Sequence, residues 1–192
     1  APDEIRLFTT VRNESLRLPY FLRFYRDLGV DRFFIIDNQS EDGTLEILRR
    51  QDHTHVFQTR QTFARKEAWL DLLLRRYGSG HWCVVVDVDE FLAYPQSKSV
   101  PLRRFCSFLD EIHVSALHCL LLDMYPNGPL SAVKYAAGTD PFDAAPFFDP
   151  ASHRVQKFSF RRCAGSQDFR YVDGVRQRVF SVPDMCCSKF PL

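Results

Sequence analysis

Apolar residues along the first part of the chain fall into short runs separated by amphipathic stretches. Residues 5–11 read as a first strand and residues 18–28 as a helix, with Pro19 suited to its first turn and Gly29 to the position past its end. Residues 32–36 form a second apolar strand ending at Asp37, followed by turn chemistry at 39–43. A short helix over 44–50, capped by Asp42 or Thr44, a weak strand over 55–58 and a helix over 64–77 come next. The fourth strand covers residues 82–86. This alternation predicts an α/β fold, a mostly parallel sheet flanked by helices. Right-handed crossovers place every carboxyl end on one edge, so Asn13, Asp37 and Asp87 are expected to meet there.

Past Asp89 the rhythm changes. Residues 102–112 read as helical, and 116–122 as a strand ending at Asp123. Residues 124–152 are rich in Pro, Gly, Asp and aromatics without a period; a loop of that length is usually functional or disordered, and its aromatics argue against simple disorder. Residues 155–160 and 177–182 alternate like strands. No internal repeat or low-complexity linker interrupts the chain.

The fourth apolar run ends abruptly in Asp87-Val88-Asp89-Glu90-Phe91. Open α/β sheets bind ligands outside the carboxyl ends of their strands. Asp87 and Asp89 would share a face on a regular strand, and like charges so close repel. A divalent cation relieves that repulsion, and oxygen ligands suit Mg²⁺ or Mn²⁺. The plain alternative is a solvated turn after a core strand.

Composition narrows the choice. The 192 residues suit one domain, with 45% hydrophobic and 26% charged residues. A net charge of +1 leaves no broad field for nucleic acid, so an anionic ligand must be held locally. No apolar stretch reaches the roughly 18 residues of a membrane span. The start, at Ala1, has no leader pattern and suggests a processed or excised piece. The six cysteines lack CxxC spacing; Cys83 and Cys119 are expected as buried thiols, and the balance points to a reducing cytoplasm.

Three segments, after the first, second and fourth strands, carry a resemblance: Val11-Arg12-Asn13-Glu14, Asp37-Asn38-Gln39-Ser40-Glu41-Asp42-Gly43-Thr44 and Asp87-Val88-Asp89-Glu90-Phe91-Leu92. With Leu122-Asp123-Met124-Tyr125-Pro126 and Gly174-Val175-Arg176-Gln177-Arg178, the chain resembles a family-2-type glycosyltransferase of the GT-A fold, in a bacterial branch. The resemblance implies one GT-A domain over 1–192, with residues 1–95 as nucleotide-sugar half and 96–192 as acceptor side. It implies a UDP- or GDP-sugar donor, a glycan or lipid-linked acceptor and inverting hexosyl transfer. It also implies Mn²⁺ or Mg²⁺ and a cytoplasmic protein, peripheral to the membrane at most. A cation bridging the diphosphate would stabilise the charge that builds on the leaving group.

On that resemblance Asp89 is the metal ligand and Asp87 binds metal water or ribose. Glu90 orients the metal shell or merely caps the next turn. Asp37 serves base or ribose, with Asn38 where relatives often carry a second acid. Thr9, Arg12, Asn13 and Glu14 form the loop that approaches the nucleotide, and Arg65 is the basic residue beside the donor. A cation at a helix start calls for a nearby anion. Asp42, Gly43 and Thr44 read as structural. The catalytic base is Asp123, with Asp173 its rival, and Arg176 binds diphosphate or acceptor. Relatives continue past Leu192, often with a metal-site histidine, for which His153 is the distant candidate. Competing readings are a catalytically silent nucleotide-sugar-binding module, a DxD-type phosphatase, disfavoured because Phe91 fills its Thr position, and a nucleotidyltransferase, disfavoured by a first loop without glycines.

Overall fold

The computed structural model describes residues 3–157, 169–181 and 184–192. The first elements are β1 (Ile5–Val11), α1 (Leu18–Leu28), β2 (Arg32–Asp37), α2 (Thr44–Arg49), β3 (Thr54–Gln58), α3 (Lys66–Tyr77) and β4 (Trp82–Val85). Their strands form one sheet in the order β3-β2-β1-β4, every pair parallel. The fold is therefore α/β, as the alternation predicts.

Strands β1 and β2 are buried almost throughout, as strands covered on both faces must be. Phe33 and Phe34, adjacent on β2, face opposite sides. Arg26 of α1 stacks over Phe33 at 5.3 Å, and Tyr77 of α3 stacks on Phe34 at 5.0 Å. Helices α1 and α3 thus cover opposite faces. Pro19 opens α1, and Gly29 closes it at φ 110°, a left-handed conformation that costs glycine little.

After β4 come α4 (Leu102–Glu111), β5 (Cys119–Leu120), α5 (Pro141–Ala144), β6 (His153–Lys157), β7 (Phe169–Asp173), α6 (Gly174–Phe180) and β8 (Ser188–Lys189). The strand expected over 116–122 shrinks to β5, paired antiparallel with β8. The strand expected over 177–182 is instead helix α6, and the strand precedes it as β7, paired with β6. Asp173 and Gly174 explain the exchange: φ values of 80° and 71° turn the chain out of β7 at that point. Val175 and Val179 then lie one helical turn apart, a spacing that brief alternation mimics. Residues 158–160 and 182 of the expected strands lie outside the described residues.

Two compact units result. The first comprises Ala1–Leu117, Tyr135–Asp140 and Pro191–Leu192, and the second His118–Lys134 and Pro141–Phe190. In the first unit the last two residues pair with its backbone: Val85 N–H donates to the Pro191 carbonyl at 2.8 Å and Leu117 N–H to the Leu192 carbonyl at 2.7 Å. The described cysteines are all free thiols, with Cys106 and Cys187 buried and Cys83 and Cys119 only half-buried, which corrects the expectation. Burial pushes the Cys83 thiol up to about 11 and Cys106 up to about 12, so neither is reactive at neutral pH. Among the described residues no helix is long and apolar enough to cross a membrane.

Candidate active site

The sheet order creates a switch point. From β1 the chain moves outward to β2 and β3, then returns across to place β4 on the other side of β1. Loops leaving the carboxyl ends of β1 and β4 therefore diverge and leave a crevice between them. The first carries Arg12, Asn13 and Glu14; the second carries Asp87, Asp89 and Glu90. Burial raises the Glu14 carboxyl above its ordinary range; Arg17 opposes this, and the charges of Asp89 and Asp42 add to it. Strands β1 and β4 are parallel neighbours, so the two loops leave the same edge of the sheet from adjacent strands.

The first loop is clasped to the loop after β2. Asn13 N–H donates to Ser40 Oγ at 3.0 Å, Glu14 N–H to Thr44 Oγ1 at 2.8 Å, and Ser15 N–H to Asp42 Oδ2 at 3.0 Å. In return Glu41 N–H donates to Asn13 Oδ1 at 2.8 Å. Asp42 also accepts from the Thr44 hydroxyl at 2.6 Å and from its N–H at 3.1 Å. The residue preceding α2 is Gly43, at φ 91°, with Asp42 serving the helix's first N–H rather than capping it from the cap position. Asn13, expected at the donor, spends its side chain on this clasp, while Arg12 is exposed at its edge.

Strand β4 ends at Val85, so Asp87 and Asp89 do not share the face of a regular strand. Glu90 N–H bonds the Asp87 carbonyl at 3.0 Å, and Glu90 Oε2 accepts the Asp87 N–H at 2.8 Å. Glu90 thus caps the turn it sits in. Asp89 is exposed at the turn's tip. Tyr25 of α1, fully buried, donates its hydroxyl to the Glu90 carbonyl and accepts the Leu92 N–H at 3.1 Å. Phe91 packs edge-on against Tyr20 and Phe24 of the same helix. Helix α1 therefore holds the acidic turn in place.

Among the described residues a cation that reaches this turn is Lys66, at the start of α3, whose ammonium pairs with Asp87 Oδ1. Arg65 is exposed, its guanidinium 3.4 Å from Gln61 Oε1. The anion beside the start of α3 is thus the protein's own Asp87, paired with Lys66 rather than with Arg65.

Behind the loops lie buried polar atoms. Among the described residues Thr9 Oγ1, Thr10 Oγ1, Asp37 Oδ1 and Asn38 Oδ1 have no hydrogen-bond partner. Buried polar atoms are normally satisfied, so four at one strand edge are unusual. Asn38 is held by its amide, which donates to the Thr59 and Gln61 carbonyls at 3.1 and 2.9 Å. Asp37 Oδ2 accepts the Ser40 N–H at 3.4 Å. By strand alternation Thr9 and Asp37 look to the α1 face, and Thr10 and Asn38 to the α3 face. Thr10 and Tyr25 were not singled out from sequence; a second threonine at a strand end was a weak signal, and nothing in the sequence marks Tyr25.

In the second unit Arg176 grips Asp123 with two nitrogens, Nε at 2.7 Å from Oδ2 and Nη2 at 2.8 Å from Oδ1. Asp173 is buried, pairs with Arg154 and accepts the Asp184 N–H at 3.3 Å. Side-chain exposure separates the two expected bases: 24% for Asp123 against 3% for Asp173. His153 pairs with Asp173 across β6 and β7 and abuts Gly174, where an added Cβ would meet its ring, so this histidine is packed against the junction of β7 and α6.

Among the described residues no three His, Cys, Asp or Glu side chains gather into a group able to hold a metal. Mg²⁺-type sites commonly use one or two carboxylates and complete their shell with phosphate oxygens and water. Asp89, with Asp87 behind it, fits a cation shared with a diphosphate and does not fit a resident ion. A cavity of about 560 Å³ lies elsewhere in the first unit, among Glu4, Trp82, Arg103 and Asp110 at the amino ends of β1 and β4. That edge is braced by Glu4 against Arg6 and Arg32, and parallel sheets bind ligands at the other one.

No protein-family model matches the chain. A protein of Oryza sativa subsp. japonica, named as a glycosyltransferase family 92 protein, is 30% identical over 96 residues, 48% of this chain and 16% of its own length. Family 92 proteins of Ricinus communis and Arabidopsis thaliana are 29% identical over 98 residues and 28% over 102, covering 18% and 17% of their lengths. About half of this chain is thus similar to glycosyltransferases, from plants and under the family 92 name rather than the bacterial family-2 branch. The match spans less than a fifth of those relatives. The crystal structure of 4-diphosphocytidyl-2C-methyl-D-erythritol synthase superposes with a TM-score of 0.40 and 12% identity over 76% of this chain and 71% of that one, too loose a likeness to argue from.

Proposed function

We propose that the first unit binds a nucleotide-diphosphate sugar and that the chain transfers its hexosyl group, with inversion, to a hydroxyl of a glycan or lipid-linked acceptor. The supporting observation is the pair of buried oxygens on the α1 face at the carboxyl edge of the sheet, Thr9 Oγ1 and Asp37 Oδ1, left without hydrogen-bond partners among the described residues. A nucleoside offers the hydroxyls and N–H groups that such atoms bind. The glycosyltransferase relatives support the same reading. Asp89 and Asp87 would hold Mn²⁺ or Mg²⁺ against the donor's phosphates. When bound, that ion supplies Lewis-acid stabilisation of the leaving diphosphate. Lys66 adds positive charge beside the same phosphates. Asp123, the better exposed of the two acids in the second unit, takes the acceptor proton.

Calorimetry with UDP or GDP and Mn²⁺ tests this. Binding is expected for the intact protein and is lost in Asp89→Ala with unfolding behaviour unchanged, because Asp89 is exposed. Failure of both nucleotides to bind, or an unaltered Asp89→Ala, refutes it. The ion pairs of Asp87, Asp123 and Asp173 favour a second reading, a module that binds the donor without transfer. Nucleotide binding with neither donor hydrolysis nor transfer would select that one.

A further inference from the structure

Resting on the donor-site reading above, we propose that Lys66 is a built-in counter-ion that masks Asp87 and couples cation binding to diphosphate binding. Its ammonium pairs with the Asp87 carboxylate in the described structure, both side chains being partly exposed at 24% and 34%. The Phe63 ring lies 5.7 Å from the same nitrogen and flanks it on the preceding turn. The Asp87 N–H is already committed to Glu90, so the backbone beneath the pair is fixed and the lysine stem is the part able to swing.

A divalent cation arriving alone meets an ammonium on one of the two carboxylates it needs. It must either displace Lys66 or bind Asp89 by itself. A nucleoside diphosphate changes the balance. Its phosphates attract the ammonium, and Lys66 moving onto them withdraws its own competition for Asp87. Each ligand therefore strengthens the other, and by linkage the two factors are equal. Asp87 alternates between an internal and an external cation, and the acidic turn stays neutralised in both states. The pair also discriminates: a nucleoside monophosphate, with less charge to draw Lys66 away, releases Asp87 less completely.

The test is calorimetric titration of Mn²⁺ into the protein, with and without saturating UDP or GDP, for wild type, Lys66→Met and Lys66→Arg. Wild type binds Mn²⁺ weakly alone and at least about tenfold more tightly with the diphosphate. Lys66→Met raises the affinity for Mn²⁺ alone by roughly five- to tenfold, as expected for removing a half-exposed competing ion pair, and loses most of the coupling. Lys66→Arg retains the weak Mn²⁺ binding. Equal affinity of wild type and Lys66→Met for Mn²⁺ alone, with diphosphate binding intact, overturns the proposal and leaves the donor-site reading standing. Absence of diphosphate binding in wild type overturns both. Circular dichroism of Lys66→Met confirms that a changed affinity belongs to a folded protein.

Discussion

The Tyr25 hydroxyl donates to the Glu90 carbonyl at 3.0 Å from a side chain with no exposed surface. It also accepts the Leu92 N–H, so one phenol spans both sides of Phe91 and ties the acidic turn to α1. Removing that oxygen leaves the buried Leu92 N–H without its acceptor, and an unsatisfied buried group costs about 1–3 kcal/mol. Tyr25→Phe is therefore expected to lower stability by roughly 2 kcal/mol in urea unfolding. It should also weaken Mn²⁺-dependent nucleotide binding, because the tip bearing Asp89 is no longer fixed. Unchanged stability would show that the hydroxyl is not the anchor.

Thr44 has the corresponding role in the other loop. Its hydroxyl is fully buried, accepts the Glu14 N–H and donates to Asp42. Thr44→Val keeps the shape and deletes both bonds, so a loss of about 1–3 kcal/mol is expected. Thr44→Ser keeps the oxygen and should recover most of it. Hydrogen exchange at the Glu14 amide reports the clasp directly: protection falls in the valine variant and persists in the serine one.

The sequence was readable where one face or both faces of an element are buried. The bounds of β1 and α1 follow from the apolar run and from Pro19 and Gly29. Asp37 stands at the end of β2 and Asp87 just past the end of β4, where the ends of the apolar runs put them. Beyond residue 112 the logic weakens, because the strands of the second unit are short or carry charged and exposed residues rather than periodic apolar faces. Alternation over 177–182 could not reveal α6, since the break is set by backbone at Asp173 and Gly174. Lys66 and Arg65 are neighbours of like charge, and only three dimensions choose between them.

Acid should loosen the first unit before any general collapse. The Arg32 and Arg6 guanidiniums hold the Glu4 carboxyl well below its usual range. Burial works to raise Asp42, but hydrogen bonds from Thr44 and Ser15 outweigh it and hold it at about 2. Both groups have a lower pKa folded than unfolded. Their stabilisation is complete above the ordinary carboxylate value of about 4 and is lost as pH falls below it toward the folded values. Asp42 is exposed, so solvent screening makes Glu4, with a side chain 14% exposed, the larger contributor. Urea midpoints should fall steadily below about pH 4. In Glu4→Gln the midpoint at neutral pH is lower and the acid slope flatter; an equal slope in the variant would assign the acid sensitivity elsewhere.

Asp123 and Asp173 are expected to part company when each is made an asparagine. Asp173 sits under the chain at 3% side-chain exposure, bonded to Arg154 and to the Asp184 N–H, at a backbone φ of 80°. Its partner Arg154 is 63% exposed, so losing the pair leaves a cation that water can still reach. The cost is correspondingly below that of a fully buried pair, about 2 kcal/mol. Asp123 and Arg176 are both partly exposed, and their pair contributes about 1 kcal/mol or less. If Asp123 takes the acceptor proton, Asp123→Asn lowers kcat by roughly 10²–10⁴-fold with little change in donor affinity, because the base acts only as the proton moves. Asp173→Asn lowers thermal stability and leaves kcat of the folded fraction near wild type. Arg176→Lys separates the pair from the chemistry: it weakens the grip on Asp123 while keeping charge, and should cost far less activity than Asp123→Asn. Loss of turnover in Asp173→Asn at unchanged stability, with Asp123→Asn active, would reverse the assignment and make the buried acid the base.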